Sequence, residues 1–244
     1  FASVVRVFSM KFHKMINVYK NVYAFITPSE FLKKKLSLNG FEEKRIHCIP
    51  TFTASKTTIG KQQIGSYGLY FGRVTEEKGV ETVIKAYEKL PEYTVKIMGD
   101  DTTDEAKRLK KYVENHKMKN VEFLGFKSGA ELENVIKGAR FTLIPSIWYD
   151  NLPNTALESF QYSKPVIASN IGSLPELVID GENGYLFKPS NVEDLIKKIK
   201  MLDDDTLVKK MGQASRKRLE SRFAPQTHYE DLMKIFNDAV KSRK

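Results

Sequence analysis

From about residue 66 onward, short runs of β-branched and aromatic residues alternate with longer segments whose apolar positions recur at three- and four-residue spacing. The runs fall at 67–71, 94–98, 121–124, 141–144 and 165–168, and the helical patterns between them at 80–90, 104–116, 130–138 and 154–162. Such βαβα alternation predicts an α/β fold, a doubly wound and mainly parallel sheet with helices on both faces. Ligands of that architecture gather at the carboxyl ends of the strands.

The two ends of the chain follow other patterns. Residues 22–26 read as a strand, 29–38 as a helix capped by Ser29, and 46–49 as a second strand, a βαβ-like piece too small to bury its own faces. It is expected to be the tail of another domain, and because the chain opens on Phe1 a truncated N-terminus is expected as well. Residues 51–65, rich in Thr, Ser, Gly and Lys, read as a linker. Past Pro189, helices are predicted near 192–202, 206–222 and 226–240, with Pro225 separating the last two. The domains expected are therefore 1–50, a linker over 51–65, a ligand-binding domain over 66–225, and a C-terminal helix over 226–244 packing back towards the first.

Composition changes this picture little. A chain of 244 residues with 41% apolar and 29% charged residues is ordinary for a soluble globular protein, and no apolar run approaches the length of a membrane span. With no signal-peptide pattern and one cysteine, Cys48, the chain reads as cytoplasmic, with Cys48 as a small core residue. Charge adds more. Of a net +10, residues 1–45 supply +6, nine Lys or Arg against three Glu. Arg6, Lys11, Lys14, Lys20 and the run Lys33, Lys34, Lys35 lie among Val4, Val5, Phe8, Met15, Ile16 and Val18, the pattern of a basic amphipathic helix. It is either a solvated face or a dock for an anionic membrane or a polyphosphorylated substrate. No aromatic-plus-basic stacking strand or zinc spacing accompanies it, so no nucleic-acid partner is expected.

Two segments carry candidate chemistry. In the first, the strand pattern at 67–71 ends in Gly72-Arg73, and Lys78-Gly79 opens the next helix. Gly72 admits a ligand close to the backbone, while two cations and a helix N-terminus suit a diphosphate, unless Arg73 and Lys78 are surface charges at a turn. In the second, the run at 141–144 feeds a loop carrying Asp150, and a helix opening near Pro153 carries Glu158 eight residues later. At that separation the carboxylates do not share a proton, and each suits vicinal hydroxyls at a different part of one ligand. Asn154, Thr155 and the first free N–H groups of the helix would face phosphates between them. The other reading makes Asp150 a loop residue and Glu158 a helix-surface charge. Asp100, Asp101 and Asp104 read as a turn with Thr103 or Asp104 as an N-cap. His13, His47, His116 and His228 have no paired metal spacing. No metal site and no cofactor are expected. Trp148 flanks the ligand or lies buried under its loop.

Together, Gly72-Arg73 with Glu77-Lys78-Gly79, Asp150 and Glu158 within Pro145-Ser146-Ile147-Trp148-Tyr149-Asp150-Asn151-Leu152-Pro153-Asn154, then Lys164-Pro165-Val166-Ile167-Ala168 and Gly181-Glu182-Asn183-Gly184-Tyr185-Leu186-Phe187, resemble the nucleotide-binding half of retaining GT-B glycosyltransferases of group 1, family 4. The likeness covers residues 66–244 in order. It implies a Rossmann-like C-terminal domain with a remnant of the N-terminal domain, and transfer of a hexose-type unit from a nucleotide-diphosphate-sugar to a glycan, lipid-linked or small-molecule acceptor, as in polysaccharide biosynthesis. Arg73 and Lys78 would neutralise the diphosphate, Glu158 would hold the ribose, Asp150 the transferring sugar, the backbone of Asn151, Leu152, Pro153 and Asn154 the phosphates, and Gly125 the base. Asp150 departs from the family's usual Glu by one methylene. Rival implications are a donor-binding subunit of a split transferase and a nucleotide-sugar epimerase of the same fold.

Overall fold

The computed structural model describes residues 2–16, 18–53 and 63–242; most of the linker expected over 51–65 and the side chains of Val4, Lys11 and Lys14 lie outside the described residues. The N-terminal segment comprises α1 (Ala2–Met15), β1 (Phe25–Thr27), α2 (Glu30–Leu38) and β2 (Ile46–Cys48). β1 and β2 pair in parallel across α2, from Phe25 beside Ile46 to Thr27 beside Cys48. Ser29 caps α2, its hydroxyl accepting the Leu32 N–H at 3.2 Å. The strand expected over 22–26 is shifted towards the C-terminus. Val22 closes a 3-10 turn over Val18–Asn21 by donating to the Tyr19 carbonyl, and the Arg45 guanidinium holds the carbonyls of Tyr19, Lys20 and Tyr23. Backbone groups occupied in this way leave extended pairing to begin at Phe25. Cys48 is half-buried rather than part of a core, and burial, then the Glu30 charge, push its thiol up to about 12.

The larger unit runs β3 (Tyr67–Phe71), α3 (Val80–Glu88), β4 (Thr94–Met98), α4 (Asp104–Asn115), β5 (Val121–Gly125), α5 (Gly129–Gly138), β6 (Ala139–Ile144), α6 (Asn154–Gln161), β7 (Val166–Ser169), α7 (Leu174–Leu177), β8 (Gly184–Phe187), α8 (Val192–Lys200), α9 (Asp205–Arg222) and α10 (Pro225–Lys241). Its six strands are all parallel, in the order β5-β4-β3-β6-β7-β8. The chain therefore winds outward from β3 in one direction, returns, and winds outward from β6 in the other. Between β3 and β6 successive connections leave for opposite sides, which opens a crevice at the strands' carboxyl ends.

Period-two alternation assigns the layers. Tyr70, Phe141, Leu143, Ile167 and Phe187 pack with Val83, Ile84 and Tyr87 of α3, Leu109 of α4 and Leu195 and Ile199 of α8. Their neighbours face the other way: Leu69 and Phe71 meet Ile136 of α5, while Ile144, Val166 and Ala168 meet Leu157 and Phe160 of α6 and Leu219 of α9. Each of the Val, Leu, Ile and Phe side chains among them, fully buried, contributes about 1.5 to 3 kcal/mol, so the sheet is held from both faces.

Two features hold the far edge and the entry to this unit. β8 reaches β7 because residue 184 is glycine: a Cβ there would lie 1.9 Å from the Val166 carbonyl oxygen. Lys164, 1% exposed, turns its ammonium inward and donates to the carbonyls of Gln63, Lys137 and Ala139 at 2.6 to 2.7 Å. It fastens the chain entering β3 to the turn that opens β6. Burial lowers its pKa to about 8.

Candidate functional site

β3 and β6 deliver their following loops to the same crevice. After Phe71 comes Gly72, whose φ of +146° a side-chain-bearing residue rarely adopts, then the exposed Arg73. A 3-10 turn over Glu76–Lys78 leads into α3. After β6, Ile147 donates its N–H to the Glu77 carbonyl at 3.0 Å, tying the two loops together. Across this seam the Lys78 ammonium pairs with Oδ1 of Asp150, and the Ser146 hydroxyl donates to Oδ2. The side chains of Lys78 and Asp150 are 20% and 14% exposed, so the pair is shielded but open to a ligand.

The crevice has two lobes, of ≈ 380 and ≈ 320 Å³, meeting at Phe71, Gly72, Arg73 and Thr155. Lys78, Asp150 and Asn154 line the first lobe, and Glu158 lines the second together with Gly99, Asp100 and Phe126. α6 starts between them, and among the described residues no side chain caps its first N–H groups. The layout is a carboxylate at either end, with Arg73 and a helix N-terminus in the middle. Burial raises the Glu158 carboxyl above the ordinary carboxylate value, with no opposing partner among the described residues, whereas Asp150 is held by a cation and a hydroxyl. Beneath the first lobe, Tyr70 donates to the Arg73 carbonyl, and burial followed by the Asp150 charge raises its pKa.

Gly72, Arg73, Lys78, Asp150, Asn151, Pro153, Asn154, Thr155 and Glu158 thus come together on the walls of one crevice. Leu152 and Gly125 do not. Leu152 turns its side chain into the core beside Ala156 and Leu157, and its N–H is taken by Ser173 Oγ at 2.8 Å, so it offers a phosphate nothing. The Gly125 carbonyl accepts the Gly99 N–H at 3.0 Å, and its successors Phe126 and Lys127 line the second lobe in its place. Trp148 is 66% exposed, which removes the alternative of a ring buried under its loop. Ser146 and Ser173, which bracket Asp150, were not legible, because a serine after a strand or in a loop carries no signal until the backbone returns to it. In the aspartate cluster, Thr103 caps α4, Asp100 accepts from Thr102, and Asp101 pairs with Lys110. Among the described residues no three His, Cys, Asp or Glu side chains are grouped to hold a metal. His116 and His228 bond the carbonyls of Tyr112 and Pro50.

Sheet order and a crevice at the switch point place the molecule among doubly wound α/β proteins that bind ligands at the strands' carboxyl ends. The model of the glycosyl transferases group 1 family matches residues 55–218, and the chain belongs to that family. An uncharacterized glycosyltransferase of Methanocaldococcus jannaschii is 29% identical over 174 residues, which is 71% of this chain and 48% of that protein. Glycogen synthase of Mycobacterium tuberculosis is 31% identical over 186 residues, 72% of this chain and 42% of that enzyme. The chain thus spans about half the length of the relatives it matches or less. Among solved structures, a glycosyltransferase from Rickettsia africae superposes with a TM-score of 0.83 at 20% identity, covering 92% of this chain and 66% of its own. HepE of Anabaena, solved with UDP and glucose, superposes with a TM-score of 0.78 at 20% identity over 88% of this chain and 63% of its own. These neighbours have the GT-B fold, and the chain shares the part of it that it covers, the doubly wound unit and the short N-terminal segment.

Proposed function

We propose that this chain supplies the donor-binding half of a retaining, family 4 sugar transferase, which moves a sugar from a nucleotide-diphosphate-sugar onto a glycan, lipid-linked or small-molecule acceptor. The observation that carries the reading is the two-lobed crevice, with one carboxylate at each far end and cationic and N–H donors between. Sugar hydroxyls suit Asp150, the diphosphate suits Arg73, Lys78 and the start of α6, and ribose hydroxyls suit Glu158, with the base towards Phe126. HepE, solved with UDP and glucose, makes uridine donors the first to test.

In transfer, the bond from the anomeric carbon to the diphosphate oxygen breaks and that oxygen takes the acceptor's proton. The acceptor oxygen then bonds the same face of the sugar. Arg73, Lys78 and the N-terminus of α6 stabilise the departing diphosphate, and no protein nucleophile or metal is required. The Lys78–Asp150 pair sets the order of events: a diphosphate arriving at Lys78 draws the ammonium away and frees Asp150 Oδ1 for a sugar hydroxyl. Asp150 therefore serves both as resting counter-ion and as hydrogen-bond acceptor for a sugar hydroxyl, which its short side chain, fixed by Ser146, suits.

In this reading residues 1–50 are the tail of an acceptor-side domain, 66–225 the donor domain and 226–244 a helix returning to the N-terminal side. The basic α1 docks on the anionic cytoplasmic face of a membrane. Calorimetry with UDP-, GDP- and ADP-glucose tests the central claim. One donor should bind, and Arg73→Ala should weaken it about 10- to 100-fold, the worth of a charge-assisted phosphate contact. No binding of any donor, with Arg73→Ala and Glu158→Ala also without effect, rejects the reading. Interconverted donor sugars without transfer would replace it with an epimerase.

A further inference from the structure

We infer that Glu176 is a positioning residue for the loop that carries Asp150, acting through α2 of the N-terminal segment. Its carboxylate lies at the N-terminus of α2, where Oε2 accepts the Glu30 N–H at 2.8 Å and Oε1 the Phe31 N–H at 2.7 Å. A helix start favours negative charge, and Ser29 takes a further donor, so the first turn of α2 is satisfied jointly by its own cap and by a residue of the donor unit.

What α2 touches gives this cap a consequence. Phe31 packs on Tyr149 with ring centroids 5.0 Å apart, and the Lys35 ammonium lies 5.5 and 5.1 Å from those two rings. The Ser29 hydroxyl also donates to Asn151 Oδ1 at 3.3 Å. Tyr149 and Asn151 are the two neighbours of Asp150 in the chain. The opposite side of the loop is held from the stretch that carries Glu176 itself. Ser173 donates to the Asp150 carbonyl at 2.6 Å and accepts the Leu152 N–H at 2.8 Å, and Arg218 of α9 donates to the Glu176 carbonyl. Residues 149–152 are therefore clamped between α2 and the stretch 173–176, and Glu176 joins the two jaws.

A carboxylate that only capped α2 would affect the stability of that helix and nothing else. A joint between the jaws predicts that loosening α2 changes the Asp150 loop, so the arrangement of the N-terminal segment and the state of the donor crevice are one coupled equilibrium. The loop's motion has a built-in reporter: Trp148, the single tryptophan of the chain, is exposed two residues before Asp150.

The test uses the whole chain with Glu176→Ala, Phe31→Ala and the double variant, read first without ligand. Glu176→Ala should change Trp148 emission and its quenching by acrylamide while circular dichroism stays that of the parent. Phe31→Ala should change them in the same direction, and the double variant should exceed the larger single effect by little, because both break one joint. The second readout, affinity for UDP-, GDP- or ADP-glucose, rests on the function proposed above and should fall about five- to tenfold, the worth of a lost cap. A Trp148 response with no donor bound by the parent protein would leave the coupling standing and reject the donor reading instead. Unaltered Trp148 emission in folded Glu176→Ala, or fully additive effects in the double variant, overturns the inference. If Glu176→Ala does not fold, Phe31→Ala decides by the same criterion.

Discussion

Two carboxylates of the same crevice sit in opposite surroundings. Asp150 has a cation and a hydroxyl as partners, whereas Glu158 has neither among the described residues, and burial raises its pKa from the ordinary value of 4.5. A carboxyl raised in the folded state contributes most below its unfolded value, where both states are protonated, and that contribution is lost as pH rises through the folded value. Above its raised folded value the ionised Glu158 therefore costs stability, and there Glu158→Gln should unfold at a higher denaturant concentration than the parent, the gap closing in acid. The same substitution should weaken donor binding about tenfold or more, because a ribose hydroxyl donates more strongly to a carboxylate than to an amide. Parent affinity should decline as pH falls through the raised value, and the variant's should not. A nucleotide-sugar diphosphate, esterified at both ends, keeps its own charge over that range. Equal pH profiles by calorimetry would remove Glu158 from the ribose role. At this scale Arg73, Lys78, Asp150 and Glu158 were legible, because charges flanking strand-to-helix turns are conspicuous in sequence. The Lys78–Asp150 pair was not, since it joins side chains 72 residues apart and depends on β3 lying next to β6.

The elements divide in the same way. β3, β4 and β7 announce themselves as apolar runs, and α3 and α4 as amphipathic spacings, because local side-chain pattern and burial coincide there. β8 does not, because its entry depends on what residue 184 lacks: pairing with β7 places the chain where a Cβ would overlap the Val166 carbonyl. Gly184→Ala should accordingly cost about 3 kcal/mol or more of unfolding free energy, backbone being unable to yield as a side chain would. Lys164 is the second case. Its neighbours in the chain do not reveal that one ammonium satisfies three carbonyls at the entry to the sheet, because those carbonyls come from residues 25 to 101 positions away. Lys164→Met, close in length and apolar, should destabilise by about 2 to 4 kcal/mol, the cost of leaving buried acceptors unpaired less the gain from not burying a charge. Urea unfolding checks both substitutions, and a neutral result for Lys164→Met would show that water replaces the ammonium.

For the molecule as a whole, charge and apolar exposure coincide at one end. The first 45 residues carry more than half of the net +10, and α1 in the same stretch exposes Val5, Val7, Phe8 and Phe12 by more than half and Met15 by 76%. Among the described residues no helix is long and apolar enough to cross a membrane. A basic helix with unburied apolar side chains is instead suited to lie in a headgroup layer, where each cation near an anionic surface is worth about 1 kcal/mol and inserted apolar groups add to it. The two contributions separate experimentally. Electrostatic attraction fades once the screening length falls to about 3 Å in 1 M salt, whereas apolar insertion persists. The chain should therefore co-sediment more strongly with vesicles containing phosphatidylserine than with phosphatidylcholine alone, the difference closing in 1 M salt. Arg6→Gln should weaken that binding at low salt, and Phe8→Ala should weaken it at every salt concentration. Donor affinity should be unchanged in both variants, since none of the described residues of α1, Arg6 and Phe8 among them, lines the crevice walls. Equal binding to neutral and anionic vesicles, or none to either, would assign the basic end to solvent or to another protein surface.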